Sequence, residues 1–228
     1  MECRYTTNER LALLGELLTY PTRESASPQL ARELSKHGGA SVDLQRFADE
    51  AEALQRAELE ELYSRTFDLA PMVAPYLSVH LWGDESFQRA QLMTGLRAAY
   101  ARVGVDSGGE LPDHVGVVLT LGTQLPEDEW RDLATFAILP AVRLMRDALL
   151  ECRTPYRHLV AAAFAEVADS IGVSLEDASA FPAPTQRPPG DGRPSCSIAP
   201  PGARAPSGTT APRDDVAHLR ASQEAGHA

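Results

Sequence analysis

The sequence has 228 residues, with 21 lysines and arginines against 32 aspartates and glutamates, and a formal net charge of −11. An acidic chain without a local basic run repels phosphate backbones and anionic headgroups, which argues against nucleic-acid binding and electrostatic membrane docking. No apolar run reaches the roughly 20 residues that span a bilayer, and the first residues lack a secretory signal pattern. We therefore expect a cytoplasmic protein without membrane insertion.

The three cysteines lie far apart, at Cys3, Cys152 and Cys196, and none belongs to a Cys-x-x-Cys pair. This spacing predicts neither a disulfide framework nor a structural zinc site, and it favours a reducing compartment. No phosphate-binding glycine loop surrounds Lys36, the single lysine of the sequence. We therefore expect no cofactor.

Apolar residues at three- and four-residue spacing predict helices in the first part of the chain. The first stripe consists of Leu11, Leu14, Leu17 and Leu18. It should end at Tyr20-Pro21, because a residue before proline avoids the helical region. Further helices are predicted over 28–36 and 42–66, the latter with a possible break near Gln55.

The second part of the chain continues this helical pattern. A helix is predicted from Asp84 to Val103, and a shorter one over 114–123. The longest should run from Pro126 to about Arg153 with a kink at Pro140, since proline interrupts the hydrogen bonds of a helix interior. A last helix should follow Thr154-Pro155 and end at Gly172.

No segment alternates apolar and polar residues long enough to predict a strand, so we expect an all-α, single-domain helical bundle over residues 1–175. Nine of the 17 prolines follow residue 175. A proline-rich segment buries too little apolar surface to offset the entropy lost on ordering, so residues 176–228 are predicted to be a disordered tail.

Titratable and aromatic side chains concentrate in three segments, which are Tyr63-Ser64-Arg65-Thr66-Phe67-Asp68-Leu69, Tyr76-Leu77-Ser78-Val79-His80-Leu81-Trp82-Gly83-Asp84 and Glu110-Leu111-Pro112-Asp113-His114. A structural interpretation makes Tyr63 and Phe67 a core pair. In the third segment it makes Asp113 a helix N-cap and His114 a first-turn surface residue.

Two functional alternatives stay open from the residues alone. Glu110, Asp113 and His114, with His80 as a further candidate, could form the site of a helical hydrolase or metal-dependent enzyme, and His80, Asp84 and His114 could form a metal site. A helical adaptor would instead use an apolar patch or the tail.

Taken in order, the three segments resemble the TorD/NarJ family of redox-enzyme maturation chaperones, and most closely its NarJ branch. That branch shows a Tyr-x-x-x-Phe-Asp segment, a His-x-x-Gly-Asp segment and a Glu-Leu-Pro-Asp loop, and the resemblance covers about residues 8–172. The run from Val115 to Gly122 departs from the acidic-aromatic continuation expected of nitrate reductase members, which leaves the client enzyme open.

The resemblance implies an all-helical cytoplasmic chaperone without catalytic activity. Such proteins bind the arginine-containing N-terminal peptide of a molybdenum enzyme's catalytic subunit, often a signal peptide, until the cofactor is inserted. They occur as monomers or helix-exchanged dimers. By resemblance, Tyr63 and Phe67 would shape an apolar groove for an amphipathic peptide helix. The polar client-binding loop would consist of Glu110, Pro112, Asp113 and His114, and the long helix would be held by His80, Gly83 and Asp84.

Overall fold

The protein is described by a computed structural model over residues 5–21 and 28–182, all within one compact unit. Every named element in this part of the chain is helical, which confirms the all-α prediction. The helices are α1 Thr7–Leu17, α2 Pro28–Leu34, α3 Ser41–Glu52, α4 Arg56–Phe67, α5 Leu77–Trp82, α6 Phe87–Val103, α7 Val115–Gly122, α8 Glu127–Leu133, α9 Leu139–Leu149, α10 Tyr156–Ser170 and α11 Leu175–Ala180.

Local capping fixes where several helices begin. At α1, the Thr6 hydroxyl accepts a hydrogen bond from the Glu9 amide (3.2 Å), and the Glu9 carboxylate accepts one from the Thr6 amide (2.7 Å). This reciprocal pair satisfies two amides that the first helical turn leaves free. The predicted break near Gln55 is confirmed, because Gln55 is the N-cap of α4.

The long helix predicted from Asp84 begins three residues later, because Ser86 rather than Asp84 is its N-cap. The Ser86 hydroxyl accepts a hydrogen bond from the Arg89 amide at 3.0 Å. His80 also lies inside a helix that was not predicted, the short α5. Asp84 belongs to the connection between α5 and α6.

The predicted kink at Pro140 takes the form of a π turn over Ala134–Ile138, between α8 and α9. Here the Leu139 amide donates to the Ala134 carbonyl, five residues back. Proline has no amide hydrogen and its ring crowds the carbonyl four residues before it, so a wider turn at this place accommodates it.

The core forms around α10, which packs against α1, α3 and α9. A buried ion pair joins α1 to α10, with Arg10 Nε 2.6 Å from one Glu166 oxygen and Arg10 Nη2 2.8 Å from the other. Helices α1 and α7 cross at Gly15 and Gly116, where a Cβ on either glycine would lie within 2.6 Å of the other's carbonyl oxygen. A larger residue at this crossing would force the two backbones apart.

The last described helix lies beyond the predicted end of the folded body. Helix α11 extends past the predicted body boundary at residue 175, and Ala178 is buried. The rest of the predicted tail, 183–228, lies outside the described residues.

Cys152 is buried and disulfide-bonded, which the sequence pattern did not predict. No described helix is both long and apolar enough to cross a membrane.

Candidate functional site

The second and third motif segments meet where α5 and α7 begin. The Leu77 amide donates to the Asp113 carbonyl at 3.0 Å, and the Val115 amide donates to the Pro75 carbonyl at 2.8 Å. Tyr76 and His114 form an isolated antiparallel bridge between these contacts. Each helix start therefore has an amide satisfied by the backbone of the other segment, which locks the two N-termini together.

Asp113 is fully buried at this junction. Its Oδ2 accepts hydrogen bonds from the Ser78 amide (3.1 Å) and the Ser78 hydroxyl (2.5 Å). Asp113 was predicted to cap its own helix, but it caps the neighbouring α5 instead. A carboxylate is favoured there because unpaired amides give a helix N-terminus a partial positive charge. Its other oxygen, Oδ1, has no hydrogen-bond partner among the described residues.

His114 is the N-cap of α7 and is 1% exposed, which corrects its prediction as a surface residue of the first turn. Its Nδ1 accepts a hydrogen bond from the Gly116 amide at 3.2 Å, so the neutral ring carries its proton on Nε2. Nε2 lies 3.4 Å from the Tyr63 hydroxyl. Burial lowers the pKa of His114 to about 4, and the charge of Asp113 partly opposes that shift.

Tyr63 and Phe67 lie in the core beneath the junction instead of lining a groove. Their ring centroids are 5.1 Å apart, and Tyr156 contacts both, at 5.4 and 5.5 Å. The Tyr63 hydroxyl reaches the Leu18 carbonyl at 3.4 Å. Aromatic edge contacts of this kind stabilise a packed arrangement. The pair therefore supports His114 from below and is not accessible to a partner.

The surface above this core carries the exposed part of the motif segments. Glu110 and Tyr76 are half-buried and Asp68 is exposed. Neither the Glu110 carboxylate nor the Asp68 carboxylate forms an ion pair or a side-chain hydrogen bond with a described residue. Burial raises the pKa of Tyr76, and the nearby negative charges of Glu110, Asp113 and Asp68 raise it further. We refer to Asp68, Tyr76 and Glu110 as the motif face.

The loop that carries Glu110 is tied to two helices. Pro112 is buried, and its carbonyl accepts a hydrogen bond from the Tyr100 hydroxyl on α6 at 3.2 Å. Asp113 then joins the same loop to α5. The position of Glu110 is therefore set by residues that a partner cannot touch.

The residues expected to hold the long helix lie at the end of α5. His80 Nε2 is 2.7 Å from the Ala74 carbonyl, and Gly83 ends α5 with a φ of 79° that favours glycine. The Asp84 carbonyl accepts a hydrogen bond from Arg89 of α6 at 2.9 Å. The Arg89 contact links α6 to the end of α5, whereas His80 contacts the segment that precedes α5, so the role of His80 in holding the long helix stays a prediction.

The metal-dependent alternative requires Glu110, Asp113 and His114 to converge with His80 or Asp84. They do not, because His114 Nδ1 faces its own helix, Asp113 Oδ2 faces Ser78, and His80 faces Ala74. Among the described residues, no three His, Cys, Asp or Glu side chains are grouped so that they could hold a metal ion.

Sequence reasoning missed Ser78 and Tyr100, although Ser78 lies inside a motif segment and Tyr100 lies on the helix predicted from Asp84 to Val103. Ser78 contacts Asp113 across 35 positions of sequence, and Tyr100 contacts Pro112 across 12. A hydroxyl that satisfies a distant partner leaves no periodic signal in one sequence. The missed residues support the motif loop and do not extend the motif face.

Known proteins resemble the part of the chain that contains this junction. Residues 31–162, more than half of the chain, match the family model described as "Nitrate reductase delta subunit". Two relatives, from Escherichia coli K12 and O157:H7, are each named "Nitrate reductase molybdenum cofactor assembly chaperone NarJ". Each is 29% identical over 149 residues, which cover 60% of this chain and 62% of the relative. The chain thus matches less than two thirds of the length of these relatives.

Proposed function

The chain belongs to the nitrate reductase delta subunit family, and on that premise we propose that it is an assembly chaperone and not an enzyme. Its client would be the catalytic subunit of a molybdenum enzyme, either a nitrate reductase or a related member of the dimethyl sulfoxide reductase superfamily. The chaperone would hold that subunit in the cytoplasm until the molybdenum cofactor is inserted. The name of the two Escherichia coli relatives supports this role.

We propose further that the motif face binds the arginine-containing N-terminal region of the client. The observation that carries this proposal is the pair of carboxylates that form no ion pair with a described residue, Glu110 and Asp68, whose negative charges both act on the half-buried Tyr76. A guanidinium can form charge-assisted hydrogen bonds with a carboxylate while its plane stacks on an aromatic ring. An unpaired, partly exposed carboxylate retains that capacity, whereas one already in an ion pair does not.

The predicted client-binding residues then divide into two roles. Glu110 contacts the client. Tyr63, Phe67, Asp113 and His114 act as positioning residues, because they are buried and connect the loop to α4, α5 and α7. Pro112 acts in the same way through the Tyr100 hydroxyl.

The test is affinity purification of the full chain from its native host, with mass spectrometry of the proteins that copurify. We expect to recover an immature molybdenum-enzyme catalytic subunit, and to lose it when the N-terminal segment of that subunit is deleted. The double variant Glu110→Gln/Asp68→Asn should also lose it, because both proposed arginine contacts are neutralised.

A matched control is Asp169→Asn/Glu176→Gln, which removes the same charge from two exposed residues far along the chain. This control should recover the client like the wild type. Equal loss in both double variants would mean that only total charge matters and would contradict the motif-face proposal. Recovery of a client that needs neither Glu110 nor Asp68, and instead needs residues 183–228, would favour the adaptor alternative.

A further inference from the structure

The connection between α4 and α5 contains an unfavourable backbone conformation. Ala70 has a φ of 51°, and it is the one residue other than glycine with a positive φ among the described residues. At positive φ, a Cβ atom lies too close to the following carbonyl oxygen. Ala70 also precedes Pro71, and a residue before proline prefers an extended backbone with negative φ. Two local preferences therefore oppose the conformation of this single residue.

The chain on both sides of Ala70 is fixed to the last turns of α4. Before Ala70, the Leu69 amide donates to the Ser64 carbonyl at 2.8 Å. After it, the Val73 amide donates to the Thr66 carbonyl at 3.1 Å, and the Val73 side chain is buried. These contacts require the chain to fold back on the helix near Ala70, and they offset the unfavourable backbone conformation.

The methyl group of Ala70 contributes little to packing, because Ala70 and Pro71 are both exposed. A glycine at this position would permit the same hydrogen bonds without the steric conflict, since glycine adopts positive φ readily. Alanine and proline instead restrict the backbone of the turn more than glycine would. The turn is therefore both strained and stiff.

This turn lies between two members of the motif face. Asp68 precedes Ala70 by two residues, and Tyr76 follows it by six. Asp68 is the C-cap of α4, and its amide donates to the Ser64 carbonyl at 3.0 Å. If the turn opened, α4 could extend through Asp68 and Leu69. The Asp68 carboxylate would then change its place relative to Tyr76.

From these features we propose that Ala70 is a positioning residue, whose stiff turn holds Asp68 and Tyr76 in a fixed relative position for the client. A binding surface that is already ordered loses less conformational entropy when a partner binds. Strained residues that the surrounding structure holds in place are concentrated at functional sites. The inference rests on the proposed function and deepens it, because it adds a residue that needs no contact with the client.

Two substitutions at this position separate strain from stiffness. Ala70→Gly removes both the steric conflict and the stiffness. Ala70→Asn relieves the conflict, since asparagine enters the left-handed region more readily than most residues, and it keeps a side chain that restricts the backbone. Position 70 is exposed, so neither change creates a cavity or an overlap in the core. Both proteins should stay folded by circular dichroism, and Ala70→Asn should have a higher Tm than the wild type.

The probe is a synthetic peptide with arginines in a glycine–serine background, and its binding to the full chain is measured by isothermal titration calorimetry. We expect Ala70→Gly to weaken binding about threefold through a less favourable entropy, because glycine loses more freedom on ordering than alanine. Ala70→Asn should change the affinity by less than about twofold. In hydrogen–deuterium exchange, the Val73 amide should exchange faster in Ala70→Gly than in the other two proteins.

Three outcomes would overturn the inference. The first is equal affinity of the wild type and Ala70→Gly. The second is a Tm of Ala70→Asn that is not raised, since Ala70 would then not be strained. The third is equal weakening by both substitutions, since the alanine methyl group would then contact the peptide itself.

Failure of the proposed function gives a different result. The double variant Glu110→Gln/Asp68→Asn would then bind the peptide as the wild type does. If that variant binds weakly while Ala70→Gly binds normally, the motif face still contacts the arginines and only the role of Ala70 is wrong.

Discussion

The buried and exposed parts of the third motif segment are three residues apart and have opposite surroundings. Asp113 is fully enclosed, and each bond of its Oδ2 goes to Ser78 at the start of α5. Glu110 is half-buried and its carboxylate has no ionic partner among the described residues. The first carboxylate is engaged in stabilising the fold, whereas the second is free to bind something else.

This difference shows that one sequence signature combines residues with two kinds of surroundings. Buried members such as Asp113 and His114 fix the geometry of a helix junction, and exposed members such as Glu110 and Tyr76 present chemistry on it. Both kinds look alike in a sequence, since all four are polar or aromatic. Substitutions should separate them, because buried members should change the free energy of unfolding and exposed members should change binding.

The largest effect on stability is expected for Asp113→Ala. It leaves the amide and hydroxyl of Ser78 without an acceptor in a buried place, and it removes a negative charge from a helix N-terminus. We expect a loss of about 3 kcal/mol in the free energy of unfolding, measured by urea denaturation. Asp113→Asn, which keeps an acceptor oxygen, should lose clearly less.

The comparison variant for this measurement is Glu110→Gln in the same loop. Its side chain makes no hydrogen bond in the described part of the chain, so its unfolding free energy should stay within about 0.5 kcal/mol of the wild type. If Glu110→Gln destabilised the protein as much as Asp113→Ala, the proposed division of roles would be wrong.

The second prediction concerns pH and His114. Its pKa is about 4 in the folded protein and about 6.5 in the unfolded chain, so folding favours the neutral ring. The stability gained from a lowered pKa of this kind is complete above pH 6.5, and it is lost as pH falls from 6.5 towards 4. Between pH 6.5 and 5 the loss should be about 2 kcal/mol.

The measurement compares urea denaturation of the wild type and His114→Gln over this pH range. Other titrating groups contribute to both proteins, so the difference between the two pH profiles isolates His114. The variant should be less stable at pH 7 but should lose less stability on acidification. Parallel profiles would show that protonation of His114 is not linked to folding.

Much of the fold could be predicted because amphipathic helices leave a direct signal in the sequence. The break before α4 followed from a lapse in the apolar pattern near Gln55, and the interruption before α9 followed from Pro140. The short α5 was missed, since its six residues hold fewer than two full turns of pattern. The start of α6 was misplaced because Asp84 and Ser86 are both good caps, and only the path of the preceding loop decides between them.

The sequence located the candidate site, but it did not tell which of the site residues are buried and which could contact a partner. The three segments are near one another along the chain, and their order carried the resemblance. Whether Asp113 caps α7 or α5 depends on how two separate helix starts approach in space. The same limit applies to Tyr63, whose burial depends on Tyr156 from a helix 93 positions later. One sequence contains no record of such contacts.

The third prediction concerns the carboxylates of the motif face. Glu110→Gln/Asp68→Asn should leave the free energy of unfolding nearly unchanged. It should weaken the binding of an arginine-containing client peptide by about tenfold, or about 1.4 kcal/mol. Wild-type binding should weaken with added salt, because exposed charges are screened. Isothermal titration calorimetry at two salt concentrations tests this. A double variant with an unchanged salt dependence would show that the arginines bind elsewhere.

The smallest effect is expected at Gly95, which differs from Gly116 in the same way as an exposed residue differs from a buried one. Gly95 is exposed in the interior of α6, where a methyl group meets nothing, so Gly95→Ala should stabilise the protein by about 0.5–1 kcal/mol through helix propensity alone. Gly116 lies at the α1–α7 crossing, where the methyl group of Gly116→Ala would meet the Gly15 carbonyl. That change should instead destabilise by about 1–3 kcal/mol. Thermal denaturation of the two variants should therefore shift in opposite directions, and a loss of stability in Gly95→Ala would mean that this face of α6 is already covered.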